Sequence, residues 1–255
     1  DERARTRVLL CHAFHHARHE RFLEARDMLL MSHLQDTIGF SDVSTQILYN
    51  RALVRVGIAA FHHGLFAECA AALGEMVSAN RQRELLAQGL SSGRFSDRNP
   101  EQEKLERRRQ VPFHMHLSLD LIEACFLVST VLLEMPLLCA QRADPKRRVG
   151  HMSKALRRLI DSYDRLVFTA PAEHLREHAM AAAHLLLDGE WQRAAETITS
   201  LPVWDMCSEP KATREMLTVR FKEEGLRTFL RAFGAAYASV SRERLAERFS
   251  MAPER

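Results

Sequence analysis

Histidine is the residue type best placed to do chemistry in this chain. Thirteen occur, and His12, His15, His16 and His19 stand at i, i+3, i+4 and i+7, one face of a helix. Two imidazoles spaced this way can share a zinc ion. The rest of a zinc site is missing: no HExxH occurs, and no Cys or Asp follows at ligand spacing. A metal would need ligands from elsewhere, so a polar helix face is the expected role and no metal or other cofactor is expected. The five cysteines, Cys11, Cys69, Cys125, Cys139 and Cys207, form no CxxC pair. Most sit in apolar runs, where cysteine acts as a small hydrophobe, and an odd, scattered set points to a reducing compartment.

His114 and His116 form an HxH. Metal-dependent deubiquitinases use HxH, but they need a serine and an aspartate further downstream. Here Ser118 and Asp120 come too soon, and Ala124 stands where that serine would fall. There is no GxSxG, no glycine-rich phosphate loop and no Cys–His signature. No residue is nominated for catalysis, and the expectation is a protein that is not an enzyme and takes no small-molecule substrate.

The other chemistry available is charge. Residues 101–123 read EQEKLERRRQVPFHMHLSLDLIE. Glu101, Glu103 and Glu106 alternate with Lys104, Arg107, Arg108 and Arg109 before a break at Val111-Pro112. Arginine forks match carboxylates and phosphates, so Lys104, Arg107, Arg108 and Arg109 are the candidate partner-binding residues. Over 101–110 the count is four basic to three acidic. That balance disfavours a phosphate-tracking patch and favours contacts within the chain or with other subunits over direct RNA contact. The plainer reading is a solvated helix whose internal ion pairs add little.

The elements that must position these residues are helical. Strand signals are scarce, and helical spacing predicts helices over 3–18, 21–35, 44–62, 65–78, 80–90, 114–134, 146–168, 172–187, 190–200, 211–221 and 223–239. Asp144-Pro145, Ser208 before Pro210, and Thr169 with Pro171 and Glu173 mark starts. Gly64 and Gly189 mark stops. Just after the stops an aromatic is followed by a small residue at i+3 and an aliphatic at i+7: Phe22, Ala25, Leu29; Phe66, Cys69, Leu73; Trp191, Ala194, Ile198. This is the logic of stacked helical hairpins, with degenerate repeats of about 40 residues. Inner helices of such arrays are apolar on more than one face. Over 44–62, Ile47, Val54, Ile58 and Phe61 form one stripe, with Leu53, Val56 and Ala60 off it. The run Leu121 to Ala140 has nearly the length of a membrane span, but Glu123 and Glu134 interrupt it and Pro136 is expected to break it. A buried helix is expected there, with no membrane partner. The chain begins Asp1-Glu2-Arg3, with no initiator Met and no signal peptide, which reads as a piece of a longer protein. A net charge of +3 does not announce a nucleic-acid binder.

Three stretches together resemble the c component of eukaryotic translation initiation factor 3: ARDMLLMSHLQD at 25–36, QILYNR at 46–51, and the charged run at 101–123. The resemblance runs from about Leu10 to about Phe249 and is thin at 140–170. It implies an all-α, tetratricopeptide-like repeat solenoid leading into a PCI winged helix. Residues 1–240 would be the repeat part and 241–255 the start of a truncated winged-helix subdomain, with Ser241 as cap and Leu245, Ala246 and Phe249 as its buried face. It also implies a non-catalytic, cytoplasmic scaffold. The partners would be other initiation factor 3 subunits, the a and e components especially, and the 40S ribosomal subunit, in forming the 43S preinitiation complex for protein biosynthesis. Ribosomal RNA contact is left open by the resemblance and is not indicated by the charge. A PCI subunit of the proteasome lid or the COP9 signalosome is the alternative, which the motifs at 25–51 and 104–116 speak against. An α-helical metal-dependent enzyme using the N-terminal histidines is the reading from another class.

Overall fold

The structure, a computed structural model, describes residues 2–78, 82–89, 100–143, 154–166 and 171–251. Among them every regular element is helical and no strand occurs, so the fold is all-α as expected. The chain divides into two compact units, residues 1–126 and 127–255.

In the first unit, α1 (Glu2–Arg18) packs on α2 (Phe22–Met31) and on α4 (Val43–His62), and α4 packs on α5 (Phe66–Ser78). These are two helical hairpins in succession. The α1 face is Leu10, Ala13 and Ala17 at i, i+3 and i+7, all fully buried. Small residues there let α4 approach closely. From Ala52 to Phe61, α4 is buried on nearly every side, off-stripe Val56 and Ala60 included, which is what an inner helix requires. Between the hairpins lie α3 (Leu34–Thr37) and a 3₁₀ turn. The single helix expected over 21–35 is therefore broken. Ser32 Oγ donates to the Leu29 carbonyl at 2.6 Å, and His33 takes a left-handed φ of 50°. The helix expected over 80–90 ends early, at Leu85 of α6 (Gln82–Leu85), and Ala87 turns left-handed just after; residues 79–81 and 90 lie outside the described residues.

The two hairpin turns share one set of backbone bonds. Arg21 N donates to His16 O (3.0 Å) and Leu65 N to Ala60 O (2.9 Å), each following a left-handed residue, Glu20 (φ 58°) or Gly64 (φ 70°). In the second unit, Glu190 N donates to Leu185 O (2.8 Å) after Gly189 (φ 81°). All three are Schellman stops, and each places the aromatic anchor two residues past the left-handed residue. All nine anchor positions of the repeat are buried, from Phe22 to Ile198.

The long helix α8 (Leu119–Ala143) starts where Ser118 Oγ accepts from Leu121 N at 3.3 Å. It runs nine residues past the predicted end and through Pro136. A proline inside a helix removes one backbone bond and costs about 3 kcal/mol. Buried neighbours Leu132, Met135 and Cys139 offset this, at about 1.5–3 kcal/mol for each buried side chain. The stretch Phe113–Arg142 is long and apolar enough to cross a membrane by length and composition, yet 78% of its most apolar window is buried inside the protein.

In the second unit, α10 (Leu175–Leu187) packs on α9 (Lys154–Asp164), α11 (Trp191–Thr199) and α12 (Pro210–Phe233). The Asp144-Pro145 start and Thr169 lie outside the described residues. The start of α10 is capped instead by Glu177, whose carboxylate accepts from Glu173 N (2.8 Å) and His174 N (3.2 Å). Those two bonds hold its pKa below the usual range. The cap position of α12 is Glu209 in place of Ser208, and no side-chain bond is made there. The two helices expected at 211–221 and 223–239 are one. Gly225 does not end it: the Trp191 Cβ sits 2.6 Å from where a Gly225 Cβ would be, so the glycine serves a close helix approach. Last, α13 (Arg242–Arg248) follows Ser241, whose side chain makes no cap bond. Phe249 is fully buried, 6.3 Å from the Trp191 ring and 5.7 Å from Phe229, with Leu245 and Ala246 half-buried.

Candidate functional site

The charged segment forms α7 (Pro100–Arg109) in the first unit. Proline suits a first helical turn. Glu101 and Glu103 near the start and three arginines at the end complement the helix dipole. Lys104, Arg107, Arg108 and Arg109 are all exposed. Arg107 Nη2 donates to Glu103 Oε1 at 2.7 Å, one turn back. Among the described residues Lys104, Arg108 and Arg109 have no ion-pair partner. Arg109 lines a cleft of about 210 Å³ together with Glu84, Glu106, Val43 and Ile47. The helix thus places one internally paired guanidinium and three further cations on its surface, able to fork onto carboxylates or phosphates.

The extended segment after α7 is fastened to the first unit. Val111 N donates to Ala87 O (2.9 Å), and His116 Nε2 lies 2.8 Å from Val111 O. Arg51 Nη2 donates to Met115 O at 2.6 Å, and Asn50 Nδ2 to Leu85 O at 3.1 Å. The Gln88 amide, oriented to satisfy both its atoms, pairs with the backbone of Leu117. Arg51 is buried, and burial pushes its pKa down. Its Nη1 finds no hydrogen-bond partner among the described residues, so the whole cost of placing a charge there is set against one backbone carbonyl. Asn50 and Arg51 close the QILYNR stretch; nothing in their spacing foretold that they grip Leu85 and Met115, 35 and 64 residues away. Phe113 (88% exposed), His114 and Met115 remain in solvent.

The histidines are scattered in role. His15 and His19 have ring centroids 4.5 Å apart, and His15 has a lowered pKa, from desolvation first and then the charges of His19 and Arg21. No group of three or more His, Cys, Asp or Glu among the described residues is arranged to hold a metal. The two histidines that sequence reasoning passed over, His62 and His63, meet the left-handed Glu20. His62 Nδ1 lies 3.0 Å from its carboxylate and His63 Nε2 lies 2.6 Å from its carbonyl. None of the five cysteines forms a disulfide, and Cys69 Sγ donates to the Cys125 carbonyl at 3.8 Å.

The family described as eukaryotic translation initiation factor 3 subunit 8 N-terminus matches residues 1–145. The chain belongs to this initiation factor 3 family. Proteins named as the C component of eukaryotic translation initiation factor 3 match nearly all of it. The one from Phaeosphaeria nodorum is 46% identical over 247 residues, 97% of this chain and 29% of the relative. The one from Aspergillus clavatus is 44% identical over 251 residues (98% and 29%), and that from Mycosarcoma maydis 46% over 251 (98% and 28%). The chain therefore spans less than a third of the length of these relatives. The family match covers the two N-terminal hairpins, α7 with its clamp, and α8.

Proposed function

We propose that this chain serves as a non-catalytic scaffold segment of initiation factor 3, helping the complex assemble on the 40S ribosomal subunit during preinitiation-complex formation in the cytoplasm. The a and e components of the factor are its partners in this reading. Residues 1–240 act as the helical-repeat part of a PCI module, and 241–255 open its winged helix. Lys104, Arg107, Arg108 and Arg109 are the contact residues. The observation that carries the reading is the division of labour in α7. Three exposed cations have no ion-pair partner among the described residues, while the segment behind them is fixed to the rest of the first unit by four backbone-directed bonds. Fixed geometry with unspent charge suits docking to another chain, since it lowers the ordering cost of binding. Mechanism here is positional: buried anchors hold the hairpins, and the hairpins hold α7 where a partner can reach it.

Co-expression of the chain with the a and e components, followed by sedimentation with purified 40S particles, tests this. The expected result is a complex that co-sediments and that falls apart when the chain is omitted. Assembly of the a and e components on the 40S particle with equal yield in its absence would end the scaffold reading.

A further inference from the structure

Charge is unevenly spread along this chain. The sequence over 141–159 holds seven Lys and Arg against one acidic residue, Asp144. That is a net charge of +6, against +3 for the whole chain, so the remainder is net acidic. A total close to neutral conceals a local field of one sign, and distribution is what marks an electrostatic footprint. Residues 144–153 lie outside the described residues; their flanks, on α8 and α9, do not.

In the second unit, the end of α8 and one side of α9 border a cleft of about 250 Å³. Arg142 lines it from α8 and Arg157 from α9, beside apolar Leu138 and Ile160. Arg142, Arg157 and the adjacent Arg158 are exposed, and none of them makes an ion pair among the described residues. Asp161 also lines the cleft, one turn along from Arg157 and not paired to it, so two cations there meet one carboxylate. Arg231 of α12 adds to the field. The buried Cys139 thiol, one turn before Arg142, is pushed up by burial and pulled back by the charges of Arg142 and Arg231. Helix stability does not account for the α9 arginines. They stand near the N-terminal end of α9, where the dipole disfavours cations, and its first turn has no acidic residue.

The surroundings choose the partner. Protein interfaces are anchored by large aromatic or apolar side chains, and among the described residues between 127 and 164 no large apolar side chain is exposed. Single-stranded nucleic acid needs free rings on which to stack, but Tyr163 of α9 is already stacked on His184, 5.0 Å between centroids. What remains is charge, which suits the phosphates of a duplex. Membership of a translation initiation factor family points to RNA as that duplex.

We infer that Arg142, Arg157 and Arg158, at the cleft between α8 and α9, grip the phosphate backbone of double-stranded RNA without reading its sequence. This surface shares no residue with α7 and does not depend on the scaffold reading.

Fluorescence anisotropy on the 255-residue chain tests it with two labelled RNA hairpins of equal length and unrelated sequence. Both should bind alike, and log affinity should fall against log salt with a slope of about −2 to −3 for three phosphates. Arg142→Glu with Arg157→Glu and Arg158→Glu should weaken binding about tenfold or more and flatten that slope. Arg193→Glu with Lys211→Glu and Arg244→Glu, three exposed cations of the same unit outside the cleft, should weaken it by less than about threefold. Asp161→Asn, which keeps every arginine, should tighten it about twofold or more. No binding of either hairpin, a marked preference for one sequence, or equal losses from the two triple variants would overturn the proposal. So would a poly-aspartate peptide that displaces the hairpins at equal concentration of charge, which would give the surface to an acidic protein.

Discussion

Asp42 is a carboxylate on which three donors converge, just ahead of α4. The Ser44 and Thr45 hydroxyls donate to it, and Arg3 of α1 reaches it with two nitrogens at 3.1 Å. The Ser44 bond chiefly, then Thr45 and Arg3, holds its pKa far below the usual range. A carboxyl with a depressed folded pKa adds stability above its unfolded pKa of about 3.9 and loses it as pH falls toward the folded value. Asp42→Asn should therefore destabilise the chain at neutral pH, and the gap from wild type should close below about pH 4; urea midpoints across pH measure it. Trp191 makes a second test. It is an anchor packed against Gly225 and Phe249, and its indole N–H donates to the Arg248 carbonyl at 3.4 Å. Trp191→Ala should cost about 3–5 kcal/mol, read from the denaturation midpoint, and an unchanged midpoint would mean that the hairpin register is wrong. Glu20 marks what residue-level reading missed. It occupies the left-handed position that glycine fills in the two sister turns, and its contacts to His62 and His63 lie 42 and 43 residues away. No local pattern encodes a contact at that separation.

The helical elements divide by what decides their limits. Where local signals decide, sequence reading succeeds: α1, α4, α5, α10 and α11 start and stop within a few residues of the expected positions, and the aromatic, small, aliphatic spacing predicts nine buried side chains. Where packing decides, it fails. Pro136 reads as a break, but the buried sides of α8 outweigh the lost backbone bond. Gly225 sits in what reads as a separate helix, with the division at residue 222, but α12 runs through both. The glycine is there because Trp191 comes within 2.6 Å of the space a Cβ would fill. Gly225→Ala is thus expected to be unfavourable despite alanine's better helix propensity, by about 1–3 kcal/mol of overpacking. A thermal melt showing stabilisation would mean that α11 and α12 do not meet as described. The candidate site shows the same split. The charges of α7 are plain in the sequence, while the Arg51 and Gln88 clamp on the segment that follows it is assembled from long-range contacts.

For the molecule as a whole, family membership and all-α construction agree with a protein whose product is shape. The described residues present hairpins closed by matching turns and a charged helix followed by a fastened segment. The central claim is that the cations of α7 hold a partner while contributing little to folding. Replacing Arg107, Arg108 and Arg109 together with Glu tests it most directly, by sedimentation of the reconstituted complex with 40S particles at several salt concentrations. The account predicts a circular dichroism spectrum that stays helical and a melting curve that shifts only slightly, with co-assembly lost or sharply weakened. Assembly equal to wild type at every salt concentration would contradict it and leave α7 a connector.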